Sequence, residues 1–397
     1  MARSDRLLSR DFALITLACG AFFLFFGATI PVLPRYVSDE LGRSDAVVGV
    51  VAGSFAVSAI VLRPFIGRVG DRRGRRVLIL AGSALAALGF AGHAVVDSVV
   101  PLVGMRLVVG AGQAAFFVGA ATLVADLAPP SRRGEAASYF SIALYLGLGL
   151  GPFIGERVLA AWGYDAVWYL SAVGGLVALL IALPLPRGVA SSGAGVAGSR
   201  GPRSWFHPAG IGPGAVLALG IMGFIGFNTF VPLYGEEIGL ADVATVFLLY
   251  SAVVILIRGF GAQLPDRLGP AVTGTVALVA SAVGLGLVAV TASAGGLYVG
   301  TAVLAVGSSL LYPALMAAAV NAVSDDERST VVATFTMFFE IASAMGGVIL
   351  GVVAATSSYD GAFLAGALFA LAGLVLLHVR LLPRLRAAAV PVGSGHV

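Results

Sequence analysis

Read for hydropathy, the chain alternates between long apolar runs and short breaks rich in arginine, aspartate, glycine and proline. A helix rises about 1.5 Å per residue, so roughly 20 apolar residues cross the ~30 Å hydrocarbon core of a bilayer. Runs bounded in this way predict helices at about 12–33, 46–66, 77–96, 100–125, 136–158 and 166–185. A second set follows at about 210–232, 243–263, 272–291, 296–320, 330–352 and 362–382. Between the sets, 187–208 is rich in Gly, Ser and Ala and reads as a flexible linker. The expected architecture is an all-α polytopic membrane protein of twelve helices: an N-terminal bundle over 1–186, the linker, and a C-terminal bundle over 209–397.

Composition supports the same class. The chain of 397 residues is 59% hydrophobic and only 11% charged, with a mean hydropathy of +0.99. A soluble domain carries about 25% charge, so this one has too little to cover a water-facing surface. The basic N-terminal segment leads into an apolar run too long for a cleavable signal peptide. The single cysteine, Cys19, excludes an internal disulfide or a cysteine metal cluster. The net charge of +4 is no nucleic-acid signal, because the arginines flank apolar spans.

Arginine placement predicts the orientation. With the N-terminus in the cytoplasm, 18 arginines fall in inside segments, three (Arg35, Arg43, Arg157) outside, and three (Arg63, Arg106, Arg258) within spans. That bias predicts cytoplasmic termini and a cytoplasmic linker.

The two sets of spans are related. "RPFIGRVGDRRG" (63–74) aligns with "RGFGAQLPDRLG" (258–269) at an offset of 195, pairing Arg63 with Arg258, Asp71 with Asp266 and Gly74 with Gly269. The same offset pairs Asp126 with Asn321 and Gly151 with Gly346. The first and seventh spans match only loosely, with a gap. Two six-helix halves of common plan are expected.

These residues carry a resemblance. "GRVGDRRGRR", with Gly67, Asp71, Arg72, Gly74, Arg75 and Arg76, resembles the signature loop of the major facilitator superfamily. "RLVVGAG" (Arg106, Gly110, Gly112) is similar to that family's second motif. "GLGLGPFIG" (Gly147, Gly151, Pro152, Gly155) resembles the span 5 motif of its drug/proton antiporters. The resemblance implies transport by alternating access. It also implies a gating network of Asp71, Arg75 and Asp126 with Gly67, Arg72 and Gly74. In that network, Gly67 and Gly74 are expected to allow close approach and tight turning, and Asp71 to cap a helix start and pair with arginine. The glycines at 147, 151 and 155 share one helix stripe and suit close helix packing, read as an outer seal.

Candidate site residues follow from depth. Glu340 is the carboxylate nearest the bilayer midplane, where an unpaired charge is costly, so it is the candidate for proton coupling or substrate contact. Arg106 is read as a proton-transfer or anion-binding group, or else as a side chain snorkelling to the outer interface. Gln113 shares its face; Tyr145, equivalent to Glu340, and Asn228 are further cavity candidates. Arg63, Arg258 and Asp266 are read as inner-gate residues near the ends of their spans.

The leading function is proton-coupled efflux of amphiphilic compounds or sugars. The alternatives are an uptake carrier or uniporter for a sugar or organic anion, and a non-transporting membrane sensor. No hydrolase or nucleotide-binding motif occurs, so no enzyme and no cofactor or metal is expected. The expected partners are a small-molecule substrate, protons and the lipid bilayer, with no nucleic acid, the protein being a monomer in the cell membrane.

Overall fold

The computed structural model describes residues 9–129, 132–186, 207–260, 264–323 and 327–383. The expected linker lies, up to residue 206, outside the described residues. Those described are mostly helical and include no strand. The helices of the first half are α1 (Arg10–Arg35), α2 (Asp45–Arg73), α3 (Arg75–His93), α4 (Val99–Leu127) and α5 (Arg133–Ala182). Those of the second are α6 (Pro208–Glu237), α7 (Ala244–Phe260), α8 (Leu264–Thr291), α9 (Ala294–Val320), α10 (Arg328–Thr356) and α11 (Tyr359–Leu376).

Among the described residues, ten helices are long and apolar enough to cross a membrane, and the apolar stretch Ala244–Arg258 of α7 is a shorter eleventh. The span within α5, Tyr139–Ala182, has 44 residues. At 1.5 Å each that is about twice the hydrocarbon thickness. It therefore crosses twice, reversing at Gly163, whose φ of 79° and ψ of −176° break the helix. A residue with a Cβ is strained at that φ. Twelve crossings result, as the hydropathy pattern predicts. The equivalent turn in the second half is made by Ser358, which accepts a hydrogen bond from the Gly361 N–H at 3.0 Å to start α11.

The arginine-rich stretch differs from the expected loop. α2 continues to Arg73, α3 starts at Arg75, and the connection is Gly74 alone, at φ 89°. Arg72 and Arg73 occupy the last turn of α2, where cations oppose the negative end of the helix dipole. Because α2 runs on, the backbone of Asp71 lies inside it, and the residue before α3 is Gly74. The repeat holds at backbone level, since Gly269 turns at φ 77° inside α8.

Each bundle has its own apolar core. In the first, Phe22 stacks on Phe116 at 4.1 Å between α1 and α4. In the second, α6, α8, α9, α10 and α11 meet around Leu217, Leu278, Leu311 and Phe335. A third cluster joins the bundles, packing Val32, Val48 and Val51 against Phe230, Val231 and Phe247. Outward-pointing apolar residues such as Leu17, Leu88 and Leu180 remain exposed, as a lipid-facing belt requires.

Two ends of the molecule can be told apart by charge. The end where α1 starts, with Arg68, Arg72, Arg73, Arg75, Arg76 and Arg328, is the basic face. The cluster joining the bundles lies toward the opposite face.

Candidate functional site

Between the bundles lies a cavity of about 350 Å³, at the lower end of the range for small-molecule pockets. Most of its lining is aromatic or aliphatic. The charged residues among the lining are Arg63, Arg106, Arg258 and Glu340. The repeat organises this surface. Phe55 and Tyr250, Gln113 and Ser308, Phe117 and Tyr312, Arg63 and Arg258, and Tyr145 and Glu340 all line it, each pair 195 residues apart. α1 and α6 follow a longer offset: Gly151 packs on Leu24 and Gly27, whereas its equivalent Gly346 packs on Met222 and Ile225, 198 residues beyond them. The gap expected for these two helices is thus present in their packing.

Glu340 projects from α10 and is 6% exposed. Its Oε1 accepts a 2.6 Å hydrogen bond from Arg63 Nη2 of α2, in the other bundle. Arg63 Nη1 donates to Thr336 Oγ1 at 3.3 Å, one turn away on α10. Arg63 is therefore a cavity residue joining the halves, about ten residues short of its helix end, rather than a snorkelling end residue. Arg258 lies at the equivalent place on α7. Its guanidinium carbon sits 3.5 Å from the centroid of the Tyr145 ring, and its Nε, buried, has no hydrogen-bond partner.

Arg106 does not snorkel. It is 5% exposed, and its Nη2 donates to the Ala52 carbonyl of α2 at 3.0 Å. Its guanidinium carbon lies 4.9 Å from the centroid of the Phe55 ring. Backbone carbonyls and a ring face hold this cation without a carboxylate. Gln113 lines the cavity with a buried Oε1 that has no partner. Asn228 also lines it, with its amide donating to the Phe224 carbonyl at 2.9 Å.

The gating candidates divide. Arg75 Nε lies 3.5 Å from Asp126 Oδ2, tying α3 to α4 at the basic face. Arg76 donates to the Leu183 carbonyl beyond α5. Arg72 is exposed. The side chains of Asp71 and Asp266 lie outside the described residues. Gly67 makes no close approach: a Cβ there would meet nothing within 4 Å.

The glycine stripe packs tightly, but inside one bundle. A Cβ at Gly147 would lie 2.7 Å from Leu24 N, and one at Gly151 would lie 2.7 Å from Gly27 Cα, both on α1. Gly155 abuts Ala28. The stripe therefore seals α5 onto α1 and not one half onto the other; Pro152 turns to the cavity.

The seal between halves is made by residues that sequence reasoning passed over. α2 and α10 cross through facing glycines: a Cβ at Gly53 would lie 2.6 Å from the Ala344 carbonyl oxygen, and one at Gly351 2.6 Å from that of Asp45. Gly149 of α5 accepts a hydrogen bond from Ser251 of α7. Ionic contacts surround this seam. Arg35 pairs with Glu156 at 3.1 Å in its own half and with Glu236 at 3.2 Å in the other. Arg157 pairs with Asp242 at 2.5 Å, and the Tyr359 hydroxyl donates to Asp45 at 3.0 Å. Among the described residues, these ties all lie toward the face opposite the basic one. The charged span ends were readable as loop charges; nothing in one sequence says which of them meet.

The family model described as Major Facilitator Superfamily matches residues 15–296 and 266–396. The chain belongs to the major facilitator superfamily. An uncharacterized MFS-type transporter of Salmonella typhimurium is 27% identical over 368 residues, covering 90% of this chain and 93% of that protein. The uncharacterized MFS-type transporter YhhS of Escherichia coli K12 is 27% identical over 381 residues, covering 92% and 90%. Among solved structures, the human organic anion transporter MFSD10 superposes with a TM-score of 0.70 at 19% identity, covering 95% of this chain and all of that one. A POT family transporter with a bound thioalcohol-conjugated peptide reaches 0.76 at 13% identity, covering 95% and 96%. The facilitator fold accounts for the twelve crossings and the cavity between two related bundles, and the chain is a multi-pass membrane transport protein.

Proposed function

We propose that the protein is a proton-coupled secondary transporter that moves a small amphiphilic molecule by alternating access, with Glu340 as the proton-carrying group. The observation that carries this reading is the Arg63–Glu340 pair: the sole carboxylate lining the cavity among the described residues reaches across the interface to a cation of the other bundle. An ion pair spanning two bodies biases their relative position. A proton on Glu340 removes one charge of the pair and loosens that tie, so protonation state and bundle position become linked. The basic face is cytoplasmic by the arginine bias, and this conformation is then closed toward the outside.

The expectation of antiport came from the span 5 motif. Its stripe of Gly147, Gly151 and Gly155 joins α5 to α1 within one bundle and so carries no argument for direction. The charge of the cavity, three arginines to one glutamate among the described lining residues, is a guide to the substrate and favours an anion.

The test is proton movement in liposomes. With a pH gradient imposed, wild type releases or takes up protons when substrate is added, and Glu340→Gln exchanges substrate without proton movement. Proton flux that persists in Glu340→Gln overturns the assignment of Glu340. Substrate exchange with no proton movement in wild type makes the protein a uniporter.

A further inference from the structure

The repeat places two equivalent cation sites on the cavity, and only one of them holds a carboxylate. At the first, Arg63 is paired with Glu340. At the second, Arg258 faces Tyr145, the residue equivalent to Glu340 by the 195 offset. With its guanidinium carbon 3.5 Å over the Tyr145 ring, Arg258 can direct its N–H groups to a planar anion. The buried Nε of Arg258 has no partner, and no carboxylate among the described residues pairs with this arginine. Counting Arg106, held by backbone carbonyls, the described lining residues carry three cations and one anion, a net charge of two positive. In a low-dielectric cavity such an imbalance draws an anion.

We propose that the transported molecule is an organic carboxylate whose carboxylate group seats on Arg258 beside Tyr145, with its apolar body against Phe224 and Tyr250. These two rings stack 5.2 Å apart beside the site, and the Tyr250 hydroxyl shares a 2.7 Å hydrogen bond with Ser308. The substrate class deepens the proton-coupled reading above and rests on it for the linkage that follows. A proton taken up by the Glu340 carboxylate leaves Arg63 charged, so the cavity gains one positive charge. A bound monocarboxylate then restores the original charge. Empty deprotonated and loaded protonated carriers therefore carry equal charge. The two ligands favour each other, which makes the coupling cotransport.

The experiment uses the full chain in detergent with three probes of matched size: 4-phenylbutyrate, its amide, and a phenylalkyl trimethylammonium. Affinity is read from ligand-induced shifts in thermal unfolding, and proton uptake from a pH dye in weak buffer. The carboxylate binds at least about tenfold more tightly than the amide, as a charge-assisted bidentate contact requires, and the cation does not compete. Arg258→Gln loses this preference and Arg258→Lys keeps part of it; comparing their unfolding without ligand separates a lost contact from a lost fold. Wild type takes up a proton on binding the carboxylate. Equal binding of amide and carboxylate, binding of none of the three, or an undiminished preference in Arg258→Gln overturns the proposal. A carboxylate preference without proton uptake in wild type instead leaves Arg258 in place and overturns the coupling role of Glu340.

Discussion

Glu340 and Arg63 sit on different bundles, and each leaves a buried charge behind if the other is removed. Breaking such a pair from one side is usually more damaging than removing both members, because the survivor keeps its desolvation penalty. Arg63 retains about a quarter of its side-chain exposure, so water screens part of this effect. We expect Arg63→Gln and Glu340→Gln each to lower stability by about 1–3 kcal/mol, and the double variant to recover about 1 kcal/mol or more of the sum. Thermal unfolding of the four proteins in one detergent checks it; simple additivity would mean that the two side chains do not interact. The depth of Glu340 was legible in the sequence because a carboxylate ten or so residues inside an apolar run has few innocent explanations. Its partner was not legible. Arg63 reads as an end-of-span arginine, since the sequence does not show that α2 continues to Arg73.

At the scale of helices, the glycines separate by what faces them. At Gly53 the neighbour is the backbone of α10, which cannot move aside without moving the helix. A methyl group there costs about 1–3 kcal/mol by overpacking, and the strain is relieved when the bundles part on that face. We therefore expect Gly53→Ala to open the face opposite the basic one. A Cys19→Ser background, which removes the one native thiol, with Thr29→Cys in the cavity reports this as faster labelling by a water-soluble maleimide. Gly67 is the counter-case. It stands in mid-helix with open space beside it, so Gly67→Ala should stabilise this conformation by about 0.5–1 kcal/mol through helix propensity. If the motif glycine serves close packing in another conformation, Gly67→Leu will reduce transport while leaving the unfolding temperature unchanged. Unchanged transport would make Gly67 incidental. The sequence marked both kinds of glycine as small, and only the identity of the facing helix tells them apart.

For the whole molecule, the hydropathy pattern made the twelve crossings readable and the 195-residue offset the kinship of the two halves. The offset could not say where the bundles touch, because symmetry relates the halves without fixing their tilt. That tilt is set here by ties at one face: the glycine crossing of α2 with α10, the bridge of Arg35 to Glu236, and the pair of Arg157 with Asp242. If transport proceeds by rocking, these contacts must separate once per cycle. Cysteines in place of Arg157 and Asp242, joined by a short bifunctional thiol reagent, would hold that face shut. The expected result is that cross-linked protein still binds substrate from the basic face and moves none across, with transport restored when a cleavable linker is cut. Transport that continues through the cross-link would require a path that leaves this face closed, and rigid rocking of the two bundles would then be the wrong description of the cycle.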